Sequence, residues 1–245
     1  MPELVAPLVV ARRFNGPPAS ANGGYVAGLL SRHVDAPAVS VRLSAPPPLE
    51  RELHVSVADG VAVLRDGERE VAAARAGDLD GLAVPASVGL REAERAAAAS
   101  PMRAELHPFP TCFGCGPLRS AGDALRHVCG PVPGREDVVA CPMTTARSLP
   151  VDGEGNLRPE IVWAALDCPS AAATVPVGAV PHVLATFTVR IDRPVAAGAP
   201  HVVVAWALGA EGRKRHGASA VLDAEGRVCA LARALWIAVR APTGS

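Results

Sequence analysis

The chain writes the same succession of elements twice. Val41-Arg42-Leu43-x-x-Pro46 recurs as Val189-Arg190-Ile191-x-x-Pro194, an offset of 148 residues from Arg42 to Arg190. Val63-Leu64, a turn at Gly67 and Val71-Ala-Ala-Ala-Arg75 recur as Val221-Leu222, a turn at Gly226 and Val228-Cys-Ala-Leu-Ala-Arg233. Ahead of each set lies one apolar helical stretch, in which Val26 and Leu30 answer Val162 and Leu166 at the shorter offset of 136 residues. A unit with a single helix and a run of strands must lay the helix's apolar stripe across one face of a curved sheet. Two such units can then pair their sheets.

The local patterns fill in that frame. From Asn22 onward, Tyr25, Val26, Leu29 and Leu30 fall at the spacing of one buried helical face, with Asn22 placed to cap it. Strands follow over Val39–Leu43, Glu50–Ala58, Val61–Arg65 and Arg69–Ala76, separated by Pro46-Pro47-Pro48, Asp59-Gly60 and Asp66-Gly67. Connections this short make them antiparallel, because a parallel crossover needs about a dozen residues. Between Gly77 and Pro110 the character changes to a helix-forming stretch from Leu90, ended by Ser100-Pro101, which reads as a linker. The second helix opens with Pro159 in its first turn and buries Val162, Trp163 and Leu166. Strands resume over Val183–Ile191, His201–Leu208, Ser219–Leu222 and Val228–Val239. The expected organisation is a first unit over 1–80, a helix-containing linker over 81–106 and a second unit over 107–245.

Composition excludes several classes. With 49% hydrophobic residues in 245, the chain can build a substantial core. Lys and Arg number 24, Asp and Glu 24, so there is no global basic field to gather nucleic acid. The N-terminal Met1-Pro-Glu-Leu-Val carries an acid where a signal peptide carries bases, and no apolar run reaches the roughly 20 residues that span a bilayer. A cytoplasmic protein with no membrane partner is expected. All six cysteines fall from Cys112 onward, several within apolar runs, which fits reduced thiols better than a disulfide framework.

Two signatures join this element order: Gly23-Gly24-Tyr25-Val26-Ala27-Gly28-Leu29-Leu30, and Cys112-Phe113-Gly114-Cys115-Gly116-Pro117. Together they resemble the hot-dog superfamily in its fused form, an α+β double hot-dog of two tandem units, each with a central helix wrapped by an antiparallel sheet. The resemblance to acyl-CoA thioesterases implies a cleft between the units where an acyl thioester, on a coenzyme A adduct, is hydrolysed without a cofactor. In that reaction the carbonyl gains negative charge, which backbone N–H groups at a helix N-terminus can receive. Gly23 and Gly24 are the candidates, since their bare amides admit a substrate closely. Asp167, at the end of an apolar helical segment, resembles the aspartate of TesB-type enzymes and is the candidate to handle water. Those enzymes also use a threonine after the helix and a glutamine on the last strand. Thr186 or Thr188 is placed for the first; no glutamine occurs in the chain, and Arg233 or a water is the alternative. Asn22 and Tyr25, at the helix entry, are expected to contact substrate. A non-catalytic binder of acyl thioesters or lipids is the rival reading.

Arg213-Lys214-Arg215-His216 concentrates positive charge between two strands, where Arg213 and Lys214 can meet coenzyme A phosphates. Cys112-x-x-Cys115, with His107, His127 and Cys129 nearby in sequence, has the flavour of a zinc site but lacks the usual paired spacing; inward-packed cysteines on a tight loop, and no metal, are expected, with a zinc-stabilised protein as the alternative. No Gly-x-Ser-x-Gly elbow, P-loop or dinucleotide fingerprint occurs. The two copies differ where chemistry would sit. Gly23-Gly24 stands opposite Pro159-Glu160, and Ser31 aligns with Asp167, so one working cleft is expected, in a monomer or a further homodimer.

Overall fold

The computed structural model describes residues 3–5, 7–85, 87–102, 104–145 and 148–239. The first half contributes β1 (Glu3–Leu4), β2 (Leu8–Val9), α1 (Gly23–Ser31), β3 (Ala38–Leu43), β4 (Glu52–Ala58), β5 (Val61–Asp66) and β6 (Arg69–Ala76). After α2 (Leu90–Ala98) come β7 (Gly130–Val132), β8 (Arg135–Thr144), α3 (Pro159–Ala172), β9 (His182–Ile191), β10 (Pro200–Glu211), β11 (Lys214–Leu222) and β12 (Val228–Ala238). The strands form one sheet in the order β1-β4-β5-β6-β3-β9-β12-β11-β10-β8-β7, with β2 pairing beside it on β4. Every pairing in it is antiparallel. Strands β7 and β8 were not expected from sequence. Pro131, Pro133 and Pro142 break their pattern, and proline is tolerated at each: Pro131 is on the edge strand β7, Pro133 is in the turn between the two, and Pro142 lies beyond the part of β8 that β7 pairs.

The two halves meet at β3 and β9, which are the strands that carry the repeated Val-Arg motif. Their register sets Val39 against Val189, Ser40 against Thr188 and Val41 against Phe187. At an offset of 148 residues, Ser40 therefore faces its own equivalent, and its neighbours exchange partners symmetrically about it. This is the pairing that two copies related by a two-fold axis make. Thr188 Oγ1 donates to Ser40 Oγ at 3.0 Å on that axis.

Because side chains alternate across a strand, Val39, Val41, Phe187 and Val189 point to the inner face and join the main core with both helices. Helices α1 and α3 run antiparallel across this face and touch through glycine. A Cβ on Gly28 would stand 2.5 Å from Glu160 Cα, and one on Gly24 would stand 2.7 Å from both Asp167 Cβ and the Trp163 carbonyl oxygen. The glycine spacing of α1 is thus what lets the helix backbones approach.

The outer face differs between the halves. In β4, Leu53 and Val55 point inward while Glu52 and His54 are exposed, the alternation of a sheet wetted on one side. In β10, Val202 to Trp206 are all buried. There Leu79, Val88, Ala93 and Ala96 cover the outer face and pack with Val202, Val204 and Trp206 in a second core. The stretch expected to be a linker is therefore a cover for the second half. Adding a methyl at the helix contact tests its tightness. Gly28→Ala is expected to lower stability by about 1–3 kcal/mol, read as a fall in the urea midpoint with an unchanged slope; an unaltered midpoint would mean that the helices separate freely.

Candidate active site

The start of α1 is held by Asn22, whose Oδ1 accepts the Tyr25 N–H at 2.8 Å. The next donor back, Gly24 N–H, reaches across the helix contact to Asp167 Oδ2 at 2.8 Å. Asp167 is 2% exposed, and its Oδ1 has no hydrogen-bond partner among the described residues. Burial raises its pKa from the usual carboxylate value to about 7. The Gly24 N–H opposes that shift, charge on Cys112 adds to it, and the Asn22 side chain opposes it. The carboxyl stands in the wall of a cavity of about 360 Å³, together with Asn22 and Gly23 of the first half and Leu184 and Trp236 of the second. Cys112, Cys115 and Cys168 line the same wall.

Helix α3 presents Asp167 despite an internal proline. Pro169 has no N–H, so the carbonyl of Ala165, four residues earlier, loses its helical donor. His127 replaces it: its Nδ1 lies 3.2 Å from Ala165 O. A carbonyl only accepts, so the proton is on Nδ1. Burial lowers the His127 pKa to about 4, against the pull of that bond, which keeps the ring neutral. The following carbonyls are also engaged, Leu166 O by Ser219 Oγ at 2.7 Å and Asp167 O by Ser170 Oγ at 2.6 Å. Ser170 Oγ in turn accepts the Trp236 indole N–H at 2.9 Å.

The remaining expected residues divide sharply. Gly23, Asn22 and Asp167 meet at the cavity. Gly24 is buried behind that wall, and its N–H is spent on Asp167 and is not available to a carbonyl oxygen while that bond holds. Thr186 lies outside, because it alternates with Phe187, whose ring packs edge-on against Trp163 at 5.6 Å between centroids. It pairs with Arg42 on the outer face. A register shift in β9 opposite Leu235 and Trp236 separates it from Leu184, so counting by twos from the cavity misplaces it. Thr188 shares the outer face, and Arg233, its pairing partner on β12, is exposed. Tyr25 belongs to the core: it stacks on Phe14 at 4.0 Å and meets Phe113 edge-on at 6.2 Å. Arg213 and Lys214 are exposed on the β10–β11 turn, where Lys214 Nζ lies 3.4 Å from Glu211 Oε2. Arg213 Nη1 donates to Ala238 O at 3.1 Å, and Ala238 pairs with the cavity-wall residue His182. The cluster is thus at the cavity end of the sheet but two strands, about 10 Å, from β9.

His127 and Cys168 had been assigned no part in the site. A proline inside a helical pattern was the available signal for His127, since an orphaned carbonyl calls for a donor from elsewhere. The two residues give a coupled test. His127→Ala is expected to cost about 1–3 kcal/mol, most of it from leaving Ala165 O unpaired. In a Pro169→Ala background, where the helical N–H is restored, the same change should cost markedly less. Equal costs in the two backgrounds, measured by denaturant titration, would show that the histidine does not serve that carbonyl.

No family model and no curated protein matches the chain. Solved structures do match over nearly its whole length. The acyl-CoA thioesterase II TesB2 of Mycobacterium marinum covers 99% of this chain and 98% of its own, with a TM-score of 0.59 at 13% identity. The tesB protein of Mycobacterium avium subspecies paratuberculosis covers 92% and 90%, with a TM-score of 0.57 at 12% identity. A hot-dog-fold protein of unknown function from Alicyclobacillus acidocaldarius covers 96% and 92%, at a TM-score of 0.52 and 15% identity. The chain therefore has the fold of the TesB-like, double hot-dog thioesterase structures.

Proposed function

We propose that this chain hydrolyses an acyl thioester, with Asp167 as the group that activates water and the acyl chain lying in the apolar cavity between the two halves. The observation that carries this reading is Asp167, a cavity-wall residue whose carboxyl is buried, fixed through Oδ2 to Gly24, and without a partner for Oδ1 among the described residues. Asp167 takes a proton from water as the oxygen attacks the carbonyl carbon; the carbon–sulfur bond then breaks, and the proton passes to the departing thiolate. The carbonyl oxygen is received at the start of α1, where the Gly23 N–H stands at the first helical position in the cavity wall. The Gly24 amide has a different part, that of holding the acid. Coenzyme A is the thiol favoured by the likeness to TesB2, an acyl-CoA thioesterase, and its phosphates would meet Arg213 and Lys214 beyond the rim. We assign the two-unit division, residues 1–80 and 107–245, to this same reading.

A second reading rests on a specific observation. The chain has no glutamine, and both candidate threonines face away from the cavity, so the water-binding set of TesB-type enzymes is reduced to its aspartate. A protein so reduced would bind acyl thioesters without cleaving them.

Two measurements separate these readings. Offered short, medium, long and aromatic acyl-CoAs, the protein should release free thiol, and Asp167→Asn should lower kcat by about 100-fold or more while keeping the Gly24 bond and the fold. Thermal stabilisation by a non-cleavable thioether analogue, with no thiol released from any ester, would establish the binder instead. Replacing Arg213 and Lys214 together by alanine is expected to raise KM for acyl-CoA about 10-fold through lost phosphate contacts, with kcat unchanged. If KM for acyl-CoA and for a short acyl-pantetheine changed equally, the cluster would have no role in holding phosphate.

A further inference from the structure

Three cysteine sulfurs converge at the cavity wall. Cys112, Cys115 and Cys168 place their Sγ atoms within 4.8 Å of one another, and Cys112 to Cys168 measures 3.7 Å. A disulfide needs about 2.0 Å between sulfurs. A tetrahedral ion bound at about 2.3 Å from each sulfur needs its ligands about 3.8 Å apart, the edge of that tetrahedron. The observed separation is the second of these.

The loop is built around the sulfurs. Gly116 N–H closes the turn onto Cys112 O at 2.8 Å. Each glycine is there for space: a Cβ on Gly116 would stand 2.5 Å from Cys112 O, and one on Gly114 would stand 2.7 Å from Cys168 Sγ. The loop is fixed on both sides. Phe113 is fully buried against Phe14 and Tyr25, and its N–H donates to Asn15 O at 2.7 Å. His127 N–H donates to Gly114 O at 2.8 Å. Asn22 Nδ2, at 3.9 Å, points at Cys112 Sγ from the outside of the cluster. A tight turn that brings two thiols together, a third thiol brought in from a helix, and outer groups that fix the turn and approach its first sulfur are the construction of a thiolate metal centre.

We propose that Cys112, Cys115 and Cys168 bind one zinc-type ion through three thiolates, with the fourth position facing the cavity that all three residues line. The all-sulfur donor set selects a soft or borderline ion over magnesium or calcium. Metal binding would release the protons of these thiols, the ion taking over the charge that the sulfurs could not carry side by side. The proposal departs from the expectation of no metal. Its third ligand comes from a helix more than fifty residues along the chain, in place of the histidines near the Cys-x-x-Cys. It stands apart from the hydrolase reading, and its test uses no activity.

Protein purified under reducing conditions should carry about one zinc per chain by elemental analysis. Removing the zinc and adding Co²⁺ should produce the strong sulfur-to-cobalt charge-transfer absorption of a tetrahedral thiolate site. Cys168→Ser and Cys112→Ser should each lower bound metal at least 10-fold, whereas Cys229→Ser, elsewhere on β12, should leave it unchanged. Folded, cooperatively melting, metal-free protein that gives no such absorption with Co²⁺ would overturn the proposal. So would a Cys112–Cys168 or Cys112–Cys115 disulfide that, once reduced, still takes up no metal. Because the cobalt titration uses the unmutated chain, the proposal remains testable if a serine variant does not fold.

Discussion

The helix contact at Gly24 and Gly28 is the constraint on which the rest of the molecule depends. Only side chains without a Cβ let α1 come so close to α3 that a backbone N–H of one helix reaches a carboxylate of the other. That approach buries Asp167, fixes one of its oxygens and leaves the other without a hydrogen-bond partner among the described residues. It also aligns the start of α1 with the far end of α3, so that the amide end of one helix, the acid and Cys168 meet in a single wall. A bulkier residue at either glycine would move all of these apart together.

Much of the fold was legible because its signals are local. The alternation in β4, with Leu53 and Val55 inward, and the turns at Gly60 and Gly67 follow from side-chain period and backbone freedom alone. The unbroken run Val202 to Trp206 also meant what such runs mean: both faces of the strand are covered. What covers them lay outside any local pattern, since Ala93 and Ala96 are ordinary helix formers until they are seen against Trp206. Strands β7 and β8 were hidden by their prolines, which are excused by where they fall relative to the β7–β8 pairing.

The site was less legible, for a different reason. Asn22 and Gly23 could be picked out because each had a chemical reason to stand at a helix start, and Asp167 because an acid in an apolar helical run calls for a reason. Thr186 was misplaced by a register irregularity that one sequence does not display. Tyr25 carries a hydroxyl that invites a role in binding, but its ring is a core element stacked on Phe14. Cys168 had no partner within reach along the chain, and its neighbours appear only when α3 is laid beside the loop at Cys112. Chemistry assembled from distant segments is the part a linear reading loses first.

The seam between β3 and β9 preserves a two-fold relation about Ser40 and Thr188, while the outer faces on either side of it no longer match. Residues of the segment from Leu79 to Ala96 occupy the back of the β8–β12 half, whereas the corresponding surface of the β3–β6 half is left to arginines and solvent. The back of one half is thus partly covered by the chain's own connection, and the back of the other carries exposed Arg42 and Arg75. The two halves, alike at their seam, therefore present unlike backs to their surroundings.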